Sequence, residues 1–210
     1  MSASVSKDQH QIWTKDAYLI STDPTLIPIA DLTKAFASED AYWAVPLPEQ
    51  DMREMLRNSL CFGLYERSQK PNGNGQDTPA TTTSKSDSEP EPTLHFMGIA
   101  RCVTDYSTFF YVTDVYVDPS SQGNGLGTWL LSCVVEVVDS MPYLRRSMLI
   151  TADWKRSVPF YEKVLGMTVM DGRRTESEEG GEGLAVLTRI GKGHPRMQGG
   201  NSASGGPGLS

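Results

Sequence analysis

Val115-Tyr116-Val117-Asp118-Pro119-Ser120-Ser121-Gln122-Gly123-Asn124-Gly125-Leu126-Gly127 is the segment from which the architecture of this chain is most readily inferred. It begins with strand-forming residues, passes through a turn and a glycine-rich loop, and opens directly into an apolar helix predicted for residues 127–139. Glycines allow positive φ angles and close approach of a ligand to the backbone. The first turn of a helix offers unpaired N–H groups and a partial positive charge. The segment therefore predicts an anion site, most favourably for a phosphate or pyrophosphate.

Strand and helix patterns alternate on both sides of this segment. The chain before it contains the predicted strands 17–21, 60–65, 94–102 and 109–117, and two helices, one starting at Asp23-Pro24 and one over residues 48–58. The chain after it contains the helix 127–139, a strand at 147–152, a helix at 158–165 ended by Gly166, and a hairpin of 167–170 with 183–190. The order βααβββαβαββ predicts a mixed α/β domain built on one sheet.

Length and composition limit the number of domains. The 210 residues, 38% of them hydrophobic, suit one globular domain, which we place at residues 12–190. Residues 67–93 are rich in Pro, Ser, Thr and acidic residues, so we expect a low-complexity loop inserted between two neighbouring strands. Residues 191–210 are rich in Gly and Ser and are predicted to form a flexible tail.

Several functional classes are disfavoured by charge and cysteine content. The net charge of −7 is unfavourable for binding nucleic acid or an anionic membrane. The three cysteines, Cys61, Cys102 and Cys133, lie far apart, which argues against a disulfide framework and indicates a reducing compartment. The N-terminus lacks a signal-like apolar core, and no apolar run approaches the roughly 18 residues of a membrane span. We therefore expect a cytoplasmic protein, with the nucleus as the alternative compartment.

The spacing of the glycines distinguishes between three patterns of phosphate-binding loop. The glycines at 123, 125 and 127 do not match the G-x-G-x-x-G pattern of dinucleotide-binding folds, and no G-x-x-x-x-G-K-[ST] sequence is present. The spacing Gln122-x-x-Gly125-x-Gly127 resembles the acetyl-CoA loop of the GNAT N-acetyltransferase superfamily, written Q/R-x-x-G-x-G/A. A glycine-rich helix cap that binds nothing is the alternative interpretation.

The sequence after the loop extends this resemblance. A strand follows at 147–152, and Phe160-Tyr161-Glu162-Lys163-Val164-Leu165-Gly166-Met167 resembles the F-Y-x-x-x-G-F ending of the family, with one extra residue before the glycine. The resemblance spans roughly residues 17–190 apart from the insertion, and it implies the GNAT acyl-CoA N-acyltransferase fold. It also implies an acetyl-CoA-dependent enzyme in which a neutral amine attacks the thioester directly. No metal is implied.

The resemblance implies a set of residues that contact the coenzyme. Amides of the Gln122–Gly127 loop would hold the pyrophosphate, and the strand before it would supply N–H donors to the thioester oxygen. Trp154 stands where the family often has an Asn that contacts the coenzyme. The implied contacts are Val115, Tyr116, Val117, Gln122, Gly123, Asn124, Gly125, Leu126, Gly127, Thr128, Trp154, Ser157 and Lys163.

Two residues are candidates for chemistry. Tyr161 matches the family's tyrosine that donates a proton to the departing thiolate, whereas the structural alternative is a half-buried core aromatic. Asp114 is the candidate base or amine anchor, because an acidic residue inside an apolar strand is costly unless it is paired or functional. A purely structural Asp114, capping a turn or pairing with Arg101, is an equally weighted alternative.

The acceptor is expected near the end of the first helix, where the family's acceptor pocket often forms. The candidate acceptor-binding residues are Glu39, Asp40, Tyr42, Trp43 and Tyr111. For Glu39 and Asp40 the alternative interpretation is a solvated helix end, and Tyr42 and Trp43 are expected to form pocket walls. The acceptor itself, a small-molecule or peptide amine, is not identified by these residues. The family often pairs through its sheet or C-terminal strands, so a homodimer is one assembly that the resemblance implies.

Two further functional hypotheses compete with the enzyme. One is an acyl-CoA-binding protein with little catalysis, which is kept open by Trp154 and by Tyr111, at a position where the family often has a Glu. The other is an interaction scaffold that uses the loop 67–93 and the tail. His10, His95 and His194 are isolated in sequence, so neither a metal site nor a Ser-His-Asp arrangement is predicted.

Overall fold

A computed structural model describes residues 9–68, 93–171 and 183–198. These residues form one mixed sheet flanked by helices. The strands are β1 (Ile12–Lys15), β2 (Tyr18–Ser21), β3 (Leu60–Ser68), β4 (Thr93–Thr104), β5 (Phe109–Val117), β6 (Arg146–Thr151), β7 (Thr168–Asp171) and β8 (Ala185–Ile190). The helices are α1 (Ile29–Phe36), α2 (Glu49–Arg57), α3 (Leu126–Ser140), α4 (Ser157–Leu165) and α5 (Pro195–Gln198).

The order of strands across the sheet is β1-β2-β3-β4-β5-β6-β8-β7. Among the described strands, β5 and β6 pair in parallel, and every other pair of neighbouring strands is antiparallel. The β5–β6 ladder covers Phe109–Tyr111 against Arg146–Met148, and beyond it the two strands diverge. The remainder of β5 thus faces an opening in the middle of the sheet.

Each face of the sheet carries its own apolar core. On one face, α3 packs against the central strands through Leu130, Leu131 and Val134, together with Phe62 and Phe110 of the sheet. The opposite face is covered by α1 and α2. That second core consists of Leu32, Phe36, Met52, Leu56, Tyr65 and Ile99, with several smaller neighbours. Helices cover both faces of the central strands, so the side chains on both faces are buried. This explains the nearly continuous hydrophobic runs in the sequences of β3 and β5.

A β-bulge interrupts the pairing of β4 with β5. Ile99 pairs with Tyr116 and Arg101 pairs with Thr113, so β5 holds one residue more than β4 between these two pairs. Asp114 lies in the bulge with a φ of 45°, in the left-handed region that non-glycine residues seldom adopt. The bulge bends β5 where it begins to diverge from β6.

The predicted fold class is confirmed, and the structure corrects the limits of several elements. The hairpin strand β1 was not predicted, because most of its residues are exposed; it is held by pairing with β2 and by stacking of Trp13 on Phe62, with ring centroids 5.7 Å apart. The segment after Asp23 forms only a 3-10 turn, and α1 begins after Pro28, whose missing N–H and fixed φ suit a helix start.

The two predicted low-complexity segments begin and end differently in the structure. Arg67 and Ser68 continue β3, and Thr93 begins β4, so the two strands extend into the predicted loop 67–93. Residues 69–92 of that loop lie outside the described residues. The predicted tail 191–210 starts with ordered chain: the N–H of Gly191 donates to the carbonyl of Arg145 at 3.0 Å, and α5 follows. Residues 199–210 are again outside the described part.

Among the described helices, none is long and apolar enough to cross a lipid bilayer.

Candidate functional site

The divergence of β5 and β6 opens a cleft of about 960 Å³ in the middle of the sheet. One wall is β5 from Tyr111 to Val117, and the other is the end of β6 with the start and middle of α4. The glycine-rich loop also lines the cleft, as do Asp40, Tyr42 and Trp43 of the segment between α1 and α2. The fold thus brings the two predicted sites, for coenzyme and for acceptor, into one cavity.

The glycine loop leaves open space at the start of α3. Gly123 and Gly125 have φ angles of 85° and 75°, and a Cβ added at either would meet no atom within 4 Å. Gly125 is the N-cap of α3, and no side chain caps the helix. The first amides of this 15-residue helix are therefore left for a ligand. Open space, uncapped N–H groups and the helix dipole together fit a pyrophosphate.

Side chains of the turn hold this loop in place. The Asp118 carboxylate accepts from the N–H of Ser120 at 2.9 Å, and Pro119 starts a 3-10 turn. The side-chain amide of Gln122 donates to the carbonyl of Val117 at 2.9 Å. Gln122 thus ties the loop to the end of β5, which gives the first residue of the Q-x-x-G-x-G pattern a structural role besides lining the cleft.

The wall formed by α4 contains Asp153, to which the sequence analysis gave no role, and the cation Arg156. Asp153 Oδ1 accepts from the N–H groups of Lys155 and Arg156 at 3.2 and 2.9 Å, and this arrangement starts α4. Arg156 lines the cleft at that helix start. The signal was present in sequence, since an Asp shortly before an apolar helix is a capping pattern. Ser157, a predicted coenzyme contact, also lines the cleft.

Tyr161 faces the cleft from α4. Its ring packs beside that of Phe160, with centroids 5.5 Å apart. Burial raises the pKa of the Tyr161 phenol to about 12, and the nearby Tyr42 and Asp153 add to the effect. Because burial and the negative charge of Asp153 disfavour the phenolate, Tyr161 keeps its proton at neutral pH.

Asp114 lies in the same cleft but is engaged by a cation. Its Oδ2 accepts from Arg101 Nε at 2.6 Å, and Oδ1 lies 3.4 Å from the hydroxyl of Thr113. The side chains of Arg101 and Asp114 are only 17% and 11% exposed, and Arg101 also donates to Ser59 Oγ at 3.0 Å. This is the ion pair that the sequence analysis left open as an alternative to a base.

The structure separates the predicted residues into two groups. Those that line the cleft are Asp40, Tyr42, Trp43, Tyr111, Asp114, Val115, Tyr116, Val117, Gln122, Gly123, Gly125, Leu126, Gly127, Thr128, Ser157 and Tyr161. Four predicted residues lie outside its lining: Glu39, Asn124, Trp154 and Lys163.

The four residues outside the lining have other surroundings. The Trp154 indole N–H donates to the carbonyl of Gly183, and its ring packs against the core under α3. Asn124 is exposed and its amide lies 3.5 Å from the Ser121 carbonyl. Glu39 and Lys163 are exposed side chains. The direction in which each of these side chains leaves its turn or helix explains its placement. Spacing in sequence does not determine that direction.

The cysteines do not form a reactive site. Cys61, Cys102 and Cys133 are all buried and unpaired by disulfides. Burial raises the pKa of the Cys133 thiol to about 11 and that of Cys61 to about 12, so neither is a thiolate at neutral pH. Within residues 9–68, 93–171 and 183–198, no group of three or more His, Cys, Asp or Glu side chains is placed to hold a metal ion.

The chain is similar to known acetyltransferases over most of its length. Residues 40–167 match the family model described as "Acetyltransferase (GNAT) family". A protein of Gibberella zeae named "Putative acetyltransferase" is 39% identical over 172 residues, which cover 78% of this chain and 85% of that protein.

Solved structures share the architecture. A structure titled as a "putative acetyltransferase belonging to the gnat family" from Xanthomonas campestris is 25% identical, has a TM-score of 0.51, and is matched over 74% of this chain and 87% of that one. The ribosomal-protein-S18-alanine N-acetyltransferase of Escherichia coli is 18% identical, with a TM-score of 0.50 and coverage of 82% and 93%. The second likeness concerns the fold alone.

Proposed function

This chain belongs to the GNAT acetyltransferase family, and we propose that it transfers the acetyl group of acetyl-CoA to a primary amine. One observation carries the proposal. The uncapped amides of α3, the divergent part of β5 and the protonated Tyr161 face a single cleft. These features would supply an anion site for the coenzyme, N–H donors for the thioester oxygen and a donor for the departing sulfur, and Asp40, Tyr42 and Trp43 in the same cleft would receive the amine.

The residues that would hold the coenzyme are those of the glycine loop and the start of α4. The N–H groups at the start of α3, next to Gly123 and Gly125, would bind the pyrophosphate, and Arg156 would add a positive charge from the opposite wall. Bound acetyl-CoA supplies a thioester whose carbonyl carbon is attacked by the amine nitrogen, so that an N–C bond forms as the C–S bond breaks. In the described ladder, Val115–Val117 have no pairing partner in β6, so N–H groups directed to that edge of β5 would stabilise charge on the thioester oxygen.

Tyr161 would assist the departure of sulfur. Its O–H remains protonated, because the pKa of the phenol is raised to about 12. A free thiol has a pKa of about 8.5, well below the raised pKa of the Tyr161 phenol, so complete transfer of the proton from Tyr161 to the thiolate is unfavourable. We therefore assign Tyr161 the role of donating a hydrogen bond to the developing sulfur anion, which finally takes its proton from water.

In the proposed mechanism, water accepts the protons that the amine loses. An ammonium group loses one proton to water before attack, and the nitrogen loses a second as the amide forms; one of the two balances the proton gained by sulfur. Asp114 is held by Arg101 and would position the bulge of β5 rather than accept either proton. This assignment replaces the base role with a positioning role in the proposed mechanism.

Binding and turnover together test the proposal. The melting temperature is measured with acetyl-CoA, and thiol release is then followed with a panel of primary amines. A ligand present at 100 times its Kd should stabilise the fold by about 2.7 kcal/mol. Stabilisation with turnover supports the enzyme, and stabilisation without turnover on any amine favours the coenzyme-binding alternative. The absence of any stabilisation would contradict both.

A further inference from the structure

Tyr42 and Trp43 form an aromatic pair in the lining of the cleft, and we call this part of the cleft its aromatic end. The segment between α1 and α2 places the rings of Tyr42 and Trp43 edge to face, with centroids 5.1 Å apart. Both rings line the cleft, yet 61% of Tyr42 and 42% of Trp43 remain exposed. Large aromatic rings this exposed gain free energy when a ligand covers them.

The charges around the cleft are distributed unevenly. Among the described residues, its lining includes the carboxylates of Asp40, Asp114 and Asp153 and the guanidinium of Arg156. Asp114 is paired with Arg101, and Asp153 accepts from the amides that start α4. Asp40 forms no ion pair or side-chain hydrogen bond with any residue in the described ranges, and it lies at the aromatic end.

The aromatic pair lies close to the proposed chemistry. The phenol of Tyr42 is near enough to Tyr161 to contribute to the raised pKa of that residue. In the same way, the Asp40 charge acts on the phenol of Tyr116, whose pKa is raised first by burial and then by Asp118 and Asp40. Since Asp40, Tyr42 and Trp43 line the same cleft as Val115–Val117, a group held by them would lie in the same cavity as the divergent part of β5.

We propose that the acceptor is a small monoamine, cationic in water, that carries one aromatic or aliphatic arm. The ammonium would be attracted by the Asp40 carboxylate and by the faces of Tyr42 and Trp43, and the arm would cover these rings. Leu184, which also lines the cleft and is 62% exposed, extends the apolar surface available to the arm. This inference rests on the proposed function and adds the class of acceptor to it.

The same surface disfavours other amine classes. A polyamine carries several ammonium groups, whereas in the described lining only the Asp40 carboxylate has neither an ion-pair nor a hydrogen-bond partner. An amino sugar needs many hydrogen-bond partners, and the exposed groups at this end are largely aromatic. An α-amino acid brings a carboxylate that Asp40 would repel.

Matched acceptors test the class. The full chain is assayed with 2-phenylethylamine, ethylamine (which lacks the arm), phenylalanine (which adds a carboxylate), spermidine, glucosamine and a short peptide with a free N-terminus. We expect kcat/KM for 2-phenylethylamine to exceed that of each other amine by about tenfold or more. Calorimetry with 2-phenylethylamine on protein saturated with coenzyme A gives a binding readout that does not depend on turnover.

Variants identify the residues responsible. Asp40→Asn should weaken 2-phenylethylamine binding and kcat/KM by about tenfold, and Tyr42→Ala by about fivefold, while the Kd of acetyl-CoA stays within about twofold. Glu54→Gln, which removes an exposed carboxylate on α2 outside the cleft lining, is the matched control and should change neither quantity.

The outcomes separate this inference from the function on which it rests. If acetyl-CoA stabilises the protein but spermidine, glucosamine, phenylalanine or the peptide is preferred, the monoamine inference is wrong and the enzyme proposal stands. An unchanged Kd for 2-phenylethylamine in Asp40→Asn would also overturn it. If acetyl-CoA neither stabilises the protein nor supports turnover, both fall together.

Discussion

Arg101 Nε donates to Oδ2 of Asp114 across 2.6 Å, and this ion pair spans the bulge at which β5 departs from the register of β4. Asp114 adopts a φ of 45° there, a conformation that costs a non-glycine residue about 1–2 kcal/mol. The pair fixes the strained residue to the neighbouring strand. Because the bulge precedes Val115–Val117, the pair also orients the part of β5 that lines the cleft.

Loss of the pair should affect stability and catalysis together. Asp114→Asn keeps a residue type that tolerates positive φ but removes the charge, leaving Arg101 mostly buried without its anion. We expect a loss of about 1.5–3 kcal/mol in the free energy of unfolding and a fall in kcat that exceeds the change in the Kd of acetyl-CoA. Denaturant unfolding and steady-state kinetics measure the two quantities.

The exposed pair of Asp31 with Lys34 on α1 provides the control, since breaking it with Asp31→Asn should cost at most about 0.5 kcal/mol. Restoration of activity in Asp114→Asn at alkaline pH alone would instead indicate a base, and would contradict the positioning role.

The coenzyme loop should not tolerate a negative side chain. Gly125→Asp would place a carboxylate in the open space before α3, and we expect the Kd of acetyl-CoA to rise at least about hundredfold, by charge repulsion and occupation of the site. Gly166→Asp is the matched control, because Gly166 also has a positive φ, of 62°, at a helix end but does not line the cleft. Calorimetric titration of acetyl-CoA into both variants should show normal affinity in Gly166→Asp only.

Removal of one hydroxyl at Tyr161 should lower the rate more than the affinity. Tyr161→Phe loses the hydrogen bond to the departing sulfur, so we expect kcat to fall by roughly 10²-fold while the Kd of acetyl-CoA changes less than about threefold. Stopped-flow or steady-state thiol detection, with calorimetry for the Kd, measures both. An unchanged kcat would remove Tyr161 from the mechanism.

The raised pKa of Tyr161 predicts how kcat and stability change at alkaline pH. Since burial raises the pKa of its phenol to about 12, the active protonated form persists across the neutral and moderately alkaline range. We expect kcat to show no alkaline decline below about pH 10, where an unperturbed tyrosine would already titrate. The contribution of this residue to stability is complete below about pH 10 and is lost as the pH rises through the folded-state pKa. A decline in kcat that begins near pH 8 would contradict this assignment.

The turn between β4 and β5 should be sensitive to acid. Asp105 accepts from the N–H groups of Ser107, Thr108 and Phe109 and from the Thr108 hydroxyl, at 2.7–3.0 Å. These bonds, the Thr108 hydroxyl foremost, hold the pKa of Asp105 well below its usual range. Asp105→Ala should lower the free energy of unfolding at pH 7 by about 0.5–1 kcal/mol, at the low end for a capping residue because the carboxylate is exposed.

The sign of this effect follows from the lowered pKa. The stabilisation is present above the unfolded-state pKa of about 3.9 and is lost as the pH falls through the folded-state value. The difference between the wild type and Asp105→Ala should therefore shrink from pH 7 to pH 3. Denaturant unfolding at both pH values measures it, and a difference that stays constant would show that the charge of Asp105 is not involved.

Much of the candidate site was predictable from local sequence. Helical periodicity, the glycines of the loop and the apolar strand before it are local properties, and the structure places Phe109–Val117 as a strand within the predicted limits. The αL conformations of Gly123 and Gly125 likewise follow from residue type, since only glycine adopts them freely. These features identified the family and predicted which loop and strand line the cleft.

Other features depend on contacts between residues distant in sequence. Spacing could not decide whether Asp114 was a base, because its partner Arg101 is brought to it by the register of β4 on β5. Nor could it show that the Trp154 indole donates to the carbonyl of Gly183, or that Asp40 lines the cleft while its neighbour Glu39 does not. The sequence by itself determined the glycine loop, β5 and the apolar helix α3, because these depend mainly on residue type and local periodicity. The tertiary structure alone decided that β1 forms, through its pairing with β2, and which side chains share the cleft, because strand pairing and helix packing set the direction of each side chain.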